Sequence, residues 1–182
     1  MKELSLNILD VAENSVKAGA TLTQILLTEQ DNVLTLEIID DGCGMDADTV
    51  RSVTDPFYTT RTTRKVGMGI PLLKLACEQT GGNLTISSVT EADDPVNHGT
   101  HVTATFNTDH IDFTPIGDVS SSILTLIQGH PDTDFVFHHQ KGNQSVDLDT
   151  RQLREVLEDV PLNSYDVMSW ISEYLQEQYE KL

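Results

Sequence analysis

Positive charge is scarce in this 182-residue chain: 11 Lys and Arg stand against 29 Asp and Glu, a formal net charge of -18. A surface that acidic repels phosphate backbones and anionic headgroups, so no nucleic acid and no membrane are expected as partners. Cysteine is nearly absent as well. Cys43 and Cys77 form no C-x-x-C pair, which suggests a reducing compartment and no zinc site. No apolar run approaches the roughly 20 residues of a membrane span. The opening Met1-Lys2-Glu3-Leu4-Ser5 lacks the apolar core of a signal peptide. Internal repeats and low-complexity tracts are missing too. What is left is length for one domain with a real core, or one domain and a small appendage, and the expectation of a soluble, cytoplasmic protein.

The chemistry-bearing residues fall in the first 108 positions. Residues 3–18 read as a helix, with Leu4, Ile8, Val11 and Ala12 at helical spacing and Gly19 as a stop. Its polar residues form a second stripe, Asn7, Asp10, Asn14 and Lys17, on one face. A solvated face usually carries mixed Glu and Lys, whereas amides are poor helix formers. An Asn oxygen can coordinate a hard cation, an Asp can orient or deprotonate a nucleophile, and a Lys can meet a phosphate. Alternating runs over 21–29 and 33–39 predict two strands joined by the turn Gln30-Asp31-Asn32. The second strand runs into Asp40-Asp41-Gly42-Cys43-Gly44-Met45. An acid at a strand end followed by two glycines makes a polar turn of little bulk, which a flat ligand can approach while the carboxylate accepts a hydrogen bond from it. A short helix over about 46–53 follows.

Residues 54–66 carry five threonines, Arg61, Arg64 and Lys65 in an otherwise acidic chain. They read as a mobile basic loop able to close over an anion. Gly67-Met68-Gly69-Ile70-Pro71 then opens a helix running to about Gln79, whose free amide N–H groups suit phosphate. A strand over 83–90, a loop over 91–98, and Gly99-Thr100 leading into Val102, Ala104 and Phe106 read as a hairpin. The pattern breaks over 109–114, which places a boundary between a first domain, 1–108, and a small α+β module, 109–182. That module is expected as a helix (117–129), two strands (134–139 and 144–148) and two helices (150–159 and 164–180). Val167, Trp170, Ile171 and Tyr174 form the stripe of the last helix, for core packing or for a partner. His138 and His139 are adjacent in a strand, so they face opposite ways and are no metal pair.

Taken together, these motifs resemble the GHKL superfamily of gyrase, heat-shock chaperone, histidine kinase and MutL-type ATPases, with its Bergerat ATP-binding fold. Asp10-Val11-Ala12-Glu13-Asn14-Ser15 is similar to the N box and Asp40-Asp41-Gly42-Cys43-Gly44 to the G1 box. Pro56-Phe57 resembles the F box of histidine kinases, Gly67-Met68-Gly69-Ile70 their G2 box, and Gly99-Thr100 the terminal Gly-Thr motif. The resemblance covers about residues 3–108 and implies an α/β fold, a two-layer α+β sandwich with a mixed sheet covered by helices on one face. It implies ATP and Mg²⁺ as ligands. Asn14 would coordinate the metal, Lys17 would meet phosphate, and Asp40 would accept from the adenine amino group. Gly42, Gly44 and Met45 would lie along the nucleotide. Gly67 and Gly69, with Met68 and Ile70 in the same box, would face the phosphates. The basic loop with Lys65 would form the lid beside Phe57, and Thr100 would join the adenine-side network.

Departures from the pattern sharpen the expectation. Histidine kinases usually carry Asn four residues before the metal-binding Asn, and members that activate a hydroxyl or water carry Glu; here the residue is Asp10, a carboxylate one methylene shorter. Glu13-Asn14-Ser15 through Ala18-Gly19-Ala20-Thr21 is similar to MutL-type proteins, while the lid and G2 box resemble a histidine kinase. No phosphoacceptor His stands in a helical His-Glu/Asp setting, so a self-sufficient sensor kinase is not expected. Residues 127–142, with His130-Pro131-Asp132, resemble a segment that follows the ATPase region of MutL proteins. Three functions are therefore implied, in this order: a slow ATPase that changes shape for a protein partner, a kinase acting in trans on Ser/Thr or His, and a non-catalytic ATP sensor.

Overall fold

The protein is described from a computed structural model covering residues 3–55 and 68–182. Helix α1 spans Leu4–Lys17 and is followed by the antiparallel pair β1, Leu22–Gln30, and β2, Val33–Asp40. Helix α2, Ala47–Val53, starts where Asp46 accepts from the Thr49 amide at 2.7 Å, the arrangement that makes Asp a good N-cap. Helix α3, Gly69–Gln79, leads to β3, Leu84–Val89, and β4, Gly99–Asn107. The chain ends with α4 (Val119–Gly129), β5 (Asp134–Lys141), β6 (Gln144–Asp149), α5 (Thr150–Leu157) and α6 (Tyr165–Tyr179).

The six strands of the described residues join one sheet in the order β3-β4-β2-β1-β5-β6. The sheet is mixed, because β5 runs parallel to β1 while every other neighbouring pair is antiparallel. The segment expected as a small C-terminal module, 109–182, thus adds its two strands to the β1 edge of the same sheet. The crossover that a parallel pair requires is supplied here by everything between β1 and β5.

Strand alternation decides which face is buried. Ile25 and Leu27, Leu34, Leu36 and Ile38, Val102, Ala104 and Phe106, and Phe135 and Phe137 all point one way and are essentially inaccessible. Their partners on the other face, such as Thr35, Glu37, Thr103 and Thr105, stay half-exposed. The helices cover the apolar face, giving the two-layer arrangement the sequence implies. Leu4, Ile8, Val11 and Ala12 of α1 pack into the same core as Ile123 and Ile127 of α4 and Ile171 and Leu175 of α6. Each such aliphatic side chain contributes about 1.5–3 kcal/mol when fully buried. Both ends of α1 are also tied to the later chain. The Leu4 and Ser5 amides donate to the Pro115 and Ile116 carbonyls, and His130 meets Glu13 at 2.9 Å.

His139 is a buried residue, with Nδ1 against the Tyr179 hydroxyl at 2.9 Å and Nε2 against Glu29 Oε1 at 2.8 Å. His138 faces the other way onto Asp147. Both are satisfied by protein groups, and no cluster of three or more metal-ligating side chains occurs among the described residues. No helix of the described residues is long and apolar enough to cross a membrane.

Candidate functional site

Strand register builds the floor of the site. Ser88 of β3 lies opposite Thr100 of β4, Thr100 opposite Asp40 of β2, and Asp40 opposite Thr23 of β1. Directly opposed residues share a face, so one polar row crosses the end of the sheet on the side α1 covers. Ser88 and Thr100 are joined hydroxyl to hydroxyl at 2.8 Å, and Ser88 also donates to the Gly99 carbonyl at 2.9 Å. Thr23 is inaccessible, and its hydroxyl has no partner among the described residues.

Asp40 is held from two sides. Ser15 of α1 donates to Oδ2 at 2.6 Å, and the Gly42 amide donates to Oδ1 at 2.9 Å. A carboxylate gripped by a hydroxyl and an amide keeps a fixed orientation, with lone pairs left for a further donor. Asp41, its neighbour, does different work. It accepts from the Thr21 amide at 2.7 Å, from the Thr21 hydroxyl, and from the Leu22 amide at 2.9 Å. Burial raises its pKa, but these hydrogen bonds outweigh burial and hold the carboxyl below the ordinary aspartate value. Asp41 therefore stays ionised and pins the turn that ends β2 to the start of β1.

The glycines of the turn are required by space. Gly44 has φ +72, and a Cβ there would lie 1.9 Å from the Val89 carbonyl oxygen. Gly99 has φ +135, and its Cβ would lie 1.9 Å from the Asp40 carbonyl oxygen. The turn is otherwise fastened by backbone and side-chain bonds. The Cys43 amide donates to the Ala18 carbonyl at 2.9 Å, the Met45 amide to Ser88 Oγ at 2.8 Å, and His98 Nδ1 to the Gly42 carbonyl.

Between α1 and this turn lies a cavity of about 280 Å³. Asn14, Lys17, Asp40, Gly44, Met45, Ile70 and Thr100 all line it, together with Val11, Ser15, Ala18, Cys43, Thr49, Val53 and Val102. Seven of the residues singled out in the sequence are thus brought to one place from α1, β2, α3, β4 and the turn after β2. Gly42 stands just behind, where a Cβ would meet the Asp40 carboxylate oxygen at 3.0 Å and the Ala18 Cβ at 2.9 Å. Asp10 is exposed one turn before Asn14 on α1, and it is not among the lining residues. The start of α3 comes against it, since a Cβ on Gly69 would sit 3.0 Å from the Asp10 Cβ. Met68 caps α3 and is exposed. Phe57, Lys65, Gly67 and the rest of the basic segment 56–66 lie outside the described residues.

Ser15, Ser88, His98 and Asp41 were not singled out in the sequence. Ser15 directly follows Asn14, and its link to Asp40 spans 25 positions. Ser88 acts through strand register, which only the sheet reveals, and His98 through the loop that enters β4.

Comparison with known proteins gives three findings. The model of the histidine kinase-, DNA gyrase B- and HSP90-like ATPase family matches residues 2–110. A putative sensor protein of Shewanella frigidimarina (strain NCIMB 400) is 29% identical over 85 residues, which are 44% of this chain and 13% of that protein; the chain spans only a small part of that relative's length. Among solved structures, the chain is similar to the N-terminal domain of a DNA repair protein, with TM-score 0.55 and 16% identity over 82% of this chain and 53% of that one. It is also similar to the Aquifex aeolicus MutL ATPase domain complexed with ADP, with TM-score 0.54 and 13% identity over 87% of this chain and 70% of that one. At those identities the likeness is one of fold.

Proposed function

This chain belongs to the histidine kinase-, DNA gyrase B- and HSP90-like ATPase family, and from that premise we propose that it binds Mg·ATP in the cavity between α1 and the Asp40–Met45 turn and hydrolyses it slowly. The observation that carries the reading is the Asp40 carboxylate, oriented by Ser15 and Gly42 at the wall of a cavity that also holds Asn14 and Lys17. Ligand clefts run to about 300–1,000 Å³, so the roughly 280 Å³ here suits the base, with the triphosphate extending along α1. In that pose Asp40 accepts from an exocyclic amino group, which adenine has at that edge and guanine lacks. The apolar wall of Val11, Met45, Val53, Ile70 and Val102 covers the ring, and Thr100 and Ser88 fix the floor.

The donor set fits a magnesium ion held mainly by the substrate. Mg²⁺ takes oxygen ligands and is commonly bound through one or two side chains plus phosphate oxygens rather than by a protein cage. Asn14 offers one such oxygen, and no acidic or histidine cage occurs among the described residues. The metal would offset the charge of the phosphates, and Lys17, which lines the same cavity, would add a cation beside them. Asp10 is on the same helix face one turn away, exposed to solvent, where it can orient a water or hydroxyl and take its proton. Its short side chain supports a low basal rate. Residues 109–182 grip α1 at both ends and extend the sheet from β1, which supports a role in passing the state of the site to a protein partner.

The experiment is ATP binding with and without Mg²⁺, followed by phosphate release with the protein alone. Magnesium-dependent binding with slow release is expected. Binding without release would leave a sensor or a kinase that needs its acceptor, and no binding would remove the reading.

A further inference from the structure

The far end of the molecule carries a surface that the nucleotide reading does not use. Trp170 of α6 is 49% exposed although it is the one tryptophan in the chain. Its ring stacks on Tyr174 with centroids 5.0 Å apart and planes 13° off parallel. The pair forms one wall of a groove of about 330 Å³, closed by Leu148 of β6 and Leu153 of α5. Tyr165, Val156 and Val160 nearby in the chain are exposed by 85%, 83% and 49%. Isolated exposed apolar residues need no explanation, but a half-exposed tryptophan stacked on a tyrosine at the wall of a groove marks a contact surface.

Along α6 and the segment before it the charge is negative. Residues 155–180 contain seven carboxylates, Glu155, Glu158, Asp159, Asp166, Glu173, Glu177 and Glu180, and no Lys, Arg or His. Trp170, Glu173, Tyr174 and Glu177 are spaced i, i+3, i+4 and i+7, so they lie on one side of α6. The two glutamates are exposed. The nearest arginines in sequence are already engaged: Arg151 is forked onto Asp149 at the edge of the groove, and Arg154 onto Asp134 and the Pro131 carbonyl. An aromatic face flanked by unneutralised carboxylates attracts a cation, and guanidinium groups best of all.

We propose that the Trp170–Tyr174 face of α6 docks a basic amphipathic segment of a partner protein. An Arg or Lys of the partner lies over the stacked rings between Glu173 and Glu177, and an apolar anchor enters the groove against Leu148 and Leu153. This surface is independent of the nucleotide reading, since the groove shares no residue with the cavity at Asp40.

Trp170 supplies its own reporter. The titrant is a synthetic helical peptide with Leu on one face and Arg along its border, and its comparison is the same peptide with Gln for every Arg. Saturable change in tryptophan emission is expected with the Arg peptide and not with the Gln peptide. A chain of net charge -18 attracts any polycation, so two double variants separate docking from bulk charge. Glu173→Gln with Glu177→Gln should weaken binding about tenfold, whereas Glu78→Gln with Glu91→Gln, exposed on α3 and in the loop after β3, should leave it within about twofold. Calorimetry of Trp170→Ala should show a loss of the same order as the first pair. Equal weakening by both pairs, equal binding of the Gln peptide, or no saturable binding would each overturn the proposal. Self-association abolished by Trp170→Ala would overturn it too, by giving the face to a second copy.

Discussion

Removing one hydroxyl tests whether Asp40 is as firmly held as its contacts imply. Ser15 is 4% exposed, and its Oγ lies 2.6 Å from Asp40 Oδ2. In Ser15→Ala the carboxylate keeps the Gly42 amide on Oδ1 but loses its donor on Oδ2. A hydrogen bond to a charged group is worth about 1.5–3 kcal/mol. Asp40 is only partly buried, so water recovers some of that, and the lower end, about 1.5 kcal/mol, is the expected loss in unfolding free energy. The same freedom costs the nucleotide an oriented acceptor, and its affinity should drop about tenfold by the same arithmetic. Denaturant unfolding and calorimetry with ATP measure the two. A cycle with Asp40→Asn isolates the pair: the double variant should lose less than the sum, by about 1 kcal/mol or more. Strict additivity, or unchanged stability in Ser15→Ala, would refute the claim that α1 orients the carboxylate.

Further outcomes are expected. Asn14→Ala should abolish the magnesium dependence of ATP binding while the fold survives, because no other amide or carboxylate of α1 lines the cavity; unchanged Mg·ATP affinity by calorimetry would exclude Asn14 as a ligand. Asp10→Asn should keep nucleotide affinity and lose turnover by about 10²–10⁴-fold; turnover surviving the change removes Asp10 from the chemistry. Gly44→Ala should destabilise the chain by more than the roughly 1–2 kcal/mol of a left-handed alanine, since its Cβ also meets the Val89 carbonyl; a neutral effect in denaturant unfolding would contradict the turn geometry. Burial lowers the His139 pKa below 6.5 against the opposing pull of Glu29, so the unfolded chain takes up the proton first. Stability should therefore fall as pH drops from 6.5 toward the folded value, a slope that His139→Gln removes; an equal slope in both proteins would count against it.

The apolar periodicities were enough to place every described helix and strand within a residue or three, because each is amphipathic and flanked by its own stop signal. Gly19 lies just past α1, and Asp46 caps α2. The candidate site was legible where chemistry and spacing coincide on one element, as for Asn14 and Lys17 on α1 or Asp40 and Gly44 in one turn. It was not legible where two distant segments meet. Ser15 looks like any small helix residue until β2 brings Asp40 beneath it, and Ser88 matters only because β3 and β4 pair in one register. Asp41 reads as a duplicate of Asp40, but the two carboxylates point to different partners. Residues 109–182 read as a module of their own since the pattern breaks near 109. That β5 joins β1 in parallel, more than a hundred residues away in the chain, is a matter of topology that local periodicity does not encode.

Adenine recognition by Asp40 is the centre of the account, and one titration tests it: calorimetry of ATP and GTP, each with Mg²⁺, against the wild-type protein and Asp40→Asn. The wild type should bind ATP and discriminate against GTP. The substitution should weaken ATP by about 10–150-fold, the equivalent of a charge-assisted bond of about 1.5–3 kcal/mol, and leave the weak GTP binding unmoved. An equal loss for both nucleotides, or ATP affinity untouched by the change, would contradict it.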